Sequence, residues 1–182
     1  MKDNLQTELK KCFELAEREE KKGRKHKGLL AVKPDKETAK EYIQKARDNL
    51  ELCDIYREKG FDYKIPEEWF YTLYYCALAV LSKFGVESRS QKWTALFLQC
   101  ARENNLINYD EEFIKRITVH KEKEETSDVD EREKSRYGPF IKIDAVKEKY
   151  EYMNELCKMA ISQAEEIIYS DKKLEIPKEL LN

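Results

Sequence analysis

Residues 69–81, Trp-Phe-Tyr-Thr-Leu-Tyr-Tyr-Cys-Ala-Leu-Ala-Val-Leu, carry no charge in a 182-residue chain that is 40% charged. On a helix their apolar and aromatic side chains point in every direction. A helix that is apolar all round has to be enclosed by other helices. The run falls short of the ~20 residues needed to span a bilayer. It therefore predicts the central helix of a bundle with amphipathic helices packed around it, and no membrane span.

Composition agrees. The chain has only five Gly and four Pro, while Lys, Glu and Leu are plentiful. That balance favours helices over a β-sandwich or a disordered chain, and the length suits one domain. A net charge of −2 gives no chain-wide signature of a polyanion binder, so any nucleic-acid argument rests on local charge. The five cysteines, Cys12, Cys53, Cys76, Cys100 and Cys157, form no C-x-x-C pair, and only two histidines are present. This argues against a zinc site. Cys53, Cys76, Cys100 and Cys157 fall on apolar helical faces and read as reduced core residues of a cytoplasmic protein. The start, Met-Lys-Asp-Asn-Leu, lacks the apolar stretch of a signal peptide. No E-x-x-H pattern and no Gly-rich phosphate loop is present, and neither a metal nor a cofactor is expected.

Helical periodicity divides the chain. A first helix is expected over 2–22, with Leu5, Leu9, Cys12, Phe13 and Ala16 inward and Gly23 at its end. A basic turn follows, and then the apolar anchor Leu29-Leu-Ala-Val. The second helix, 35–59, has Ala39, Tyr42 or Ile43, Ala46, Leu50, Cys53 and Tyr56 or Arg57 at helical spacing. Asp35 caps it and Gly60 closes it. The buried third helix covers 67–83 and stops at Gly85. The fourth, 90–104, turns Trp93, Leu96, Phe97 and Cys100 inward. A short fifth, 110–119, presents Phe113, Ile114 and Ile117. Residues 121–136 are charged or polar with Val129 the sole apolar residue, which reads as an exposed loop. The sixth helix, 144–169, carries the seam Val146, Tyr150, Met153, Cys157, Ala160, Ala164 and Ile167. No strand is expected. The predicted fold is all-α, an antiparallel up-and-down bundle of four to five main helices. Its parts are an N-terminal helix and basic turn (1–27), the bundle (28–170) and a tail (171–182).

Four segments in this order resemble the HEPN domain, the higher-eukaryote-and-prokaryote nucleotide-binding domain, in its small stand-alone archaeal and bacterial form. Gly28-Leu-Leu-Ala-Val-Lys-Pro-Asp precedes the second helix as the family's "GLI-x-K-x-x-PD" entry does. The aromatic helix 69–81 places Tyr74 and Tyr75 where the family has an "AYYAMFHA"-like run. Gly85-Val-Glu-Ser-Arg-Ser-Gln-Lys is similar to the "G-x-x-x-KSH" turn. Arg132-Glu-Lys-Ser-Arg-Tyr is similar to the "R-x-x-x-x-Y" ending. The resemblance implies a bundle that commonly dimerises. Many members are toxin ribonucleases with an Arg-x4–6-His motif near the last helix, and others are inactive partners of small nucleotidyltransferases.

This chain departs from the catalytic pattern. Gln91 stands at the histidine of the "KSH" turn, and Tyr137 stands where a histidine would follow Arg132. Metal-independent RNA cleavage needs one group to deprotonate the 2′-hydroxyl and another to protonate the leaving 5′-oxygen. Histidine suits both roles. Gln cannot titrate, and an ordinary Tyr does so only near a pKa of ~10. The expectation is a HEPN-like protein that binds a nucleotide, an RNA or a nucleotidyltransferase-type partner and lacks the usual ribonuclease site. One alternative is a toxin-type metal-independent endoribonuclease with a variant site drawn from Arg132, Tyr137 and His120. The other is a purely structural dimeric module.

Each candidate site has a plain structural counterpart. Arg132, Arg136 and Tyr137 could grip phosphate and stack a base, or belong to a solvated loop. Arg89, Ser90, Gln91 and Lys92 open the fourth helix, where free amides favour phosphate, or Ser88 or Ser90 merely caps it. Lys21, Lys22, Arg24, Lys25 and Lys27, around His26, form a basic patch for RNA or an acidic partner, or a solvated turn. His120 lies four positions after Arg116 on one helical face, a displaced pair or two surface residues. Tyr71, Tyr74 and Tyr75 line a pocket, or join Trp69 and Phe70 as more aromatic surface than the neighbours can cover. Surplus of that kind marks an interface, here of a homodimer.

Overall fold

Helix α3, Ile65–Phe84, is the axis of the molecule, with fourteen of its twenty residues buried. Its two polar buried residues stay satisfied locally. Thr72 Oγ1 donates to the Glu68 carbonyl at 2.8 Å and Ser82 Oγ to the Leu78 carbonyl at 3.0 Å, the i−4 pairing open to short hydroxyls inside a helix. Pro66 sits in its first turn, and Gly85 closes it at φ 76, where its N–H reaches the carbonyls of Leu81 and Ser82. The computed structural model describes residues 2–118, 132 and 143–181.

Around α3 lie α2 (Lys36–Glu58), α4 (Gln91–Glu103), α5 (Glu111–Arg116) and α6 (Ile143–Tyr169), and α1 (Lys2–Lys21) packs on α4. Asp35 caps α2 by accepting from the amides of Glu37 and Thr38, and Gly60 follows at φ 74. The long helices are locked by side chains whose order gives their directions. On α2 and α6, Arg47 pairs with Glu165 and Arg57 with Glu151, so these two run antiparallel. On α3 and α6, Trp69 bonds Asn154 and Lys83 caps the carbonyls of Ile168 and Ser170, so these run parallel. That alternation is the expected up-and-down arrangement. The seam on α6 is buried as its spacing requires, from Val146 through Tyr150, Met153, Cys157, Ala160 and Ala164 to Ile167. Each large side chain it removes from water contributes about 1.5–3 kcal/mol.

Two features differ from the sequence expectation. Leu29–Ala31 (β1) and Val86–Ser88 (β2) form an antiparallel two-stranded ribbon, with Leu29 opposite Ser88 and Ala31 opposite Val86. Three residues per strand are too few to show a period of two, and the pairing is remote in sequence. Helix α5 ends at Arg116, earlier than 119. Ile117 and Thr118, both β-branched, lose side-chain freedom in a helix and here form the turn that follows. The ribbon continues into the helix ends: Val32 N–H donates to Gly85 O at 2.8 Å, Asp35 N–H to Ser82 O at 3.1 Å and Arg89 N–H to Gly28 O at 3.1 Å. No helix among the described residues is long and apolar enough to cross a membrane.

Candidate nucleic-acid interface

The antiparallel packing of α2 on α3 sets Tyr42 against Tyr75, rings stacked with centroids 6.0 Å apart and planes 20° apart. One turn back along α3, Tyr71 stacks on Tyr75 at 5.9 Å and 28°, as i,i+4 neighbours do. Phe70 meets Tyr71 edge-on at 5.3 Å and stacks on Tyr74 at 5.8 Å. Tyr42, Tyr71, Tyr74 and Tyr75 are half-buried, so the row is open to solvent along one side.

Two cations sit on this row, within the ~6 Å at which a ring face attracts them. Lys45 Nζ lies 5.6 Å from the Tyr42 centroid and 5.8 Å from that of Tyr75. The Arg132 guanidinium lies 4.5 Å from the centroid of Phe70 and 6.0 Å from that of Tyr71. Arg132, the first residue of one segment that carries the sequence resemblance, thus meets the aromatic helix that carries another. Burial pushes the phenols of Tyr42, Tyr74 and Tyr75 above their ordinary pKa. They stay neutral at physiological pH and offer ring faces and hydroxyls, not bases.

At its Tyr42 end the row adjoins a pocket of 570 Å³ between the start of α2, the last turns of α3 and the ribbon. Val32, Leu78 and Val86 supply an apolar lining, and Lys33, Asp35, Glu87 and Arg89 the charges. Glu87 is held from two sides. Arg89 Nε donates to its Oε1 at 2.8 Å, and the buried His26 ring approaches the same oxygen through Nε2 at 3.2 Å. For a neutral ring, Nε2 then carries the proton. His26 Nδ1 is buried without a hydrogen-bond partner among the described residues. Burial pushes the Glu87 carboxyl up, but the bonds from Arg89 and His26 outweigh it and hold the group below the usual carboxylate range.

The other candidate residues divide clearly. Ser90 is the cap of α4 and accepts from the Trp93 amide, and Gln91 begins the helix. Lys92 lies 4.5 Å from the Trp93 ring. Of this group Arg89 alone lines the pocket. The basic turn is less cationic than its own stretch suggests, because α1 lays acids beside it. Lys21 pairs with Glu17 at 2.6 Å, and Lys22 and Arg24 lie 4.0 and 3.9 Å from Glu19. Lys25 and Lys27 are exposed, whereas His26 points inward to Glu87. Trp69 and Phe70 are fully buried, so the open aromatic surface of α3 is limited to its tyrosines. Arg116 pairs with Glu112. His120, Arg136, Tyr137 and, Arg132 apart, the 121–136 loop lie outside the described residues.

Tyr42, Lys45 and Glu87 did not stand out as site residues in the sequence. The available signal was that Tyr42 and Ile43 compete for one inward position of α2. Ile43 takes it and is buried, which leaves Tyr42 at the edge beside α3. All five cysteines are buried, and none of them forms a disulfide. Among the described residues no three His, Cys, Asp or Glu side chains gather as a metal site. A second cavity, 450 Å³ between α2 and α6, is crossed by the Arg47–Glu165 bridge and has no aromatic lining. No protein-family model matches this chain, and no curated protein matches it significantly.

Proposed function

We propose that this protein is a HEPN-like, cytoplasmic module that binds single-stranded RNA without cutting it by the usual Arg/His chemistry. The observation that carries the reading is the half-exposed row Tyr42–Tyr75–Tyr71, backed by the buried Phe70, with Lys45 and Arg132 on it. Single-stranded nucleic acids are held where aromatic side chains receive bases and cations neutralise the backbone. Each base stacked this way is worth about 1–3 kcal/mol. A half-open row on two rigid helices, flanked by cations, meets both requirements. Lys45 and Arg132 engage ring faces in the free protein and would turn toward phosphates on binding.

The test is fluorescence anisotropy with a labelled single-stranded RNA, together with incubation of the same RNA in EDTA. Expected are salt-sensitive binding, roughly tenfold weaker binding in Tyr75→Ala and in Arg132→Ala, and intact RNA. Binding indifferent to both substitutions would remove the reading. Cleavage that disappears in Arg132→Ala would replace it with the endoribonuclease.

The resemblance adds a protein partner, either a nucleotidyltransferase-type protein or a second copy of the chain. The half-buried face of Tyr71, Tyr74 and Tyr75 is the surface such a partner would share with RNA. Light scattering of the RNA-free protein at twice the 21.8 kDa chain mass, falling to one chain per complex when RNA is added, would place a second copy there.

A further inference from the structure

The tyrosine row does not stop at open surface: Tyr42, its last ring, is also a wall of the 570 Å³ pocket. That volume lies within the ~300–1,000 Å³ of small-ligand sites. The pocket is bounded by the first turn of α2, the ribbon and the end of α3. Its lining joins a flat apolar body to two cations, Lys33 and Arg89. Arg89 spends Nε on Glu87, and its two terminal nitrogens have no partner among the described residues. The two carboxylates are already engaged. Asp35 accepts from the amides of Glu37 and Thr38 and from the Thr38 hydroxyl, and Glu87 is bonded by His26 and Arg89. Phosphate entering beside Arg89 would thus meet carboxylates that are already hydrogen-bonded.

A phosphodiester inside a strand carries one negative charge, whereas a terminal phosphomonoester near neutral pH carries close to two. The lining holds two cations and two carboxylates, so what distinguishes the terminal group is its additional free oxygen, for which the terminal nitrogens of Arg89 and the Lys33 ammonium are donors beside the aromatic wall. We propose that the pocket receives the phosphorylated terminal nucleotide of a single-stranded RNA whose inner bases lie on the tyrosine row. The base packs against Tyr42 and the Val32, Leu78 and Val86 lining, and the phosphomonoester is held by Arg89 and Lys33. Buried His26 acts as a positioning residue by holding Glu87 so that Arg89 faces the pocket. The proposal rests on the RNA-binding reading for its ligand class.

The test compares one RNA sequence in four forms: 5′-phosphorylated, 3′-phosphorylated, hydroxyl at both ends, and covalently circular. One phosphorylated form is expected to bind about tenfold tighter than the circle and the hydroxyl form, and which one identifies the end. Arg89→Gln, at an exposed position, should abolish that preference and leave binding of the circle unchanged. Tyr75→Ala should weaken all four forms alike. Equal affinity for phosphorylated and circular RNA would overturn the pocket assignment while leaving the row intact. Failure to bind any form would overturn both. A preference that survives in Arg89→Gln would also overturn the assignment, with circular dichroism of the variant confirming its fold.

Discussion

Trp69 donates its indole Nε1–H to Asn154 Oδ1 at 2.8 Å, and both side chains are buried. The bond ties the first half of α3 to the middle of α6. Removing the acceptor leaves a buried N–H with no partner, which costs about 1–3 kcal/mol. Asn154→Ala should therefore lower the unfolding free energy by that amount in urea titration. A change within ~0.5 kcal/mol, the scale of surface substitutions, would mean that water reaches the indole.

Met153 and Tyr152 are sequence neighbours with opposite environments, 1% and 57% exposed. Met153→Ala should cost about 2–5 kcal/mol as a cavity opens in the core. Tyr152→Ala should cost ~0.5 kcal/mol or less. Equal costs in denaturant titration would mean that the faces of α6 are misassigned.

Gly60 and Gly85 share a left-handed backbone, at φ 74 and φ 76, but not their surroundings. A Cβ at Gly60 meets open space, while one at Gly85 runs into the Val32 carbonyl and the Pro34 ring. Gly60→Ala should cost about 1–2 kcal/mol, the conformational penalty alone. Gly85→Ala adds the displacement of the ribbon, roughly a further 1–3 kcal/mol. Thermal unfolding of the two variants reads the difference directly.

Glu87 has a folded pKa below its unfolded value. A depressed carboxylate contributes stability that is fully present above the unfolded pKa of ~4.3 and is lost as pH falls through the folded value. Wild type should exceed Glu87→Gln in stability at pH 6–7 by up to ~1 kcal/mol, discounted because the carboxylate is partly exposed. That margin should shrink toward zero as pH drops below ~4. A margin that grows on acidification would reverse the sign and exclude the Arg89–Glu87–His26 arrangement.

Burial pushes the Cys53 and Cys76 thiols up, and all five thiols are enclosed. A thiol-specific reagent at pH 8 should leave the native protein unmodified and label all five cysteines after denaturation. Rapid labelling of Cys12 in the folded state would show that the contact of its Sγ with the Leu29 amide, at 3.3 Å, opens readily.

Much of the helical frame was legible because it depends on local or short-period signals. The uncharged run 69–81 has to be enclosed, Asp35 and Ser90 are capping residues in extended backbone, and Gly60 and Gly85 suit left-handed helix ends. The α6 seam repeats every three or four residues, so its buried face follows from one strand of sequence without knowledge of its partners.

What the tertiary structure alone decided is which of these faces meet. The ribbon of Leu29–Ala31 with Val86–Ser88 joins segments far apart in the chain, each too short to announce itself. His26 reads as part of a basic turn until Glu87, supplied by that ribbon, draws it inward. Arg132 stands out in the sequence only for its place in a motif, yet its position over Phe70 and Tyr71 depends on where α3 lies. Tyr42 becomes a site residue only because antiparallel packing of α2 on α3 brings it to Tyr75 and to the pocket. Periodicity determines which side of a helix is buried. The register between two helices is set by side-chain packing across their interface, and no single helix contains that information.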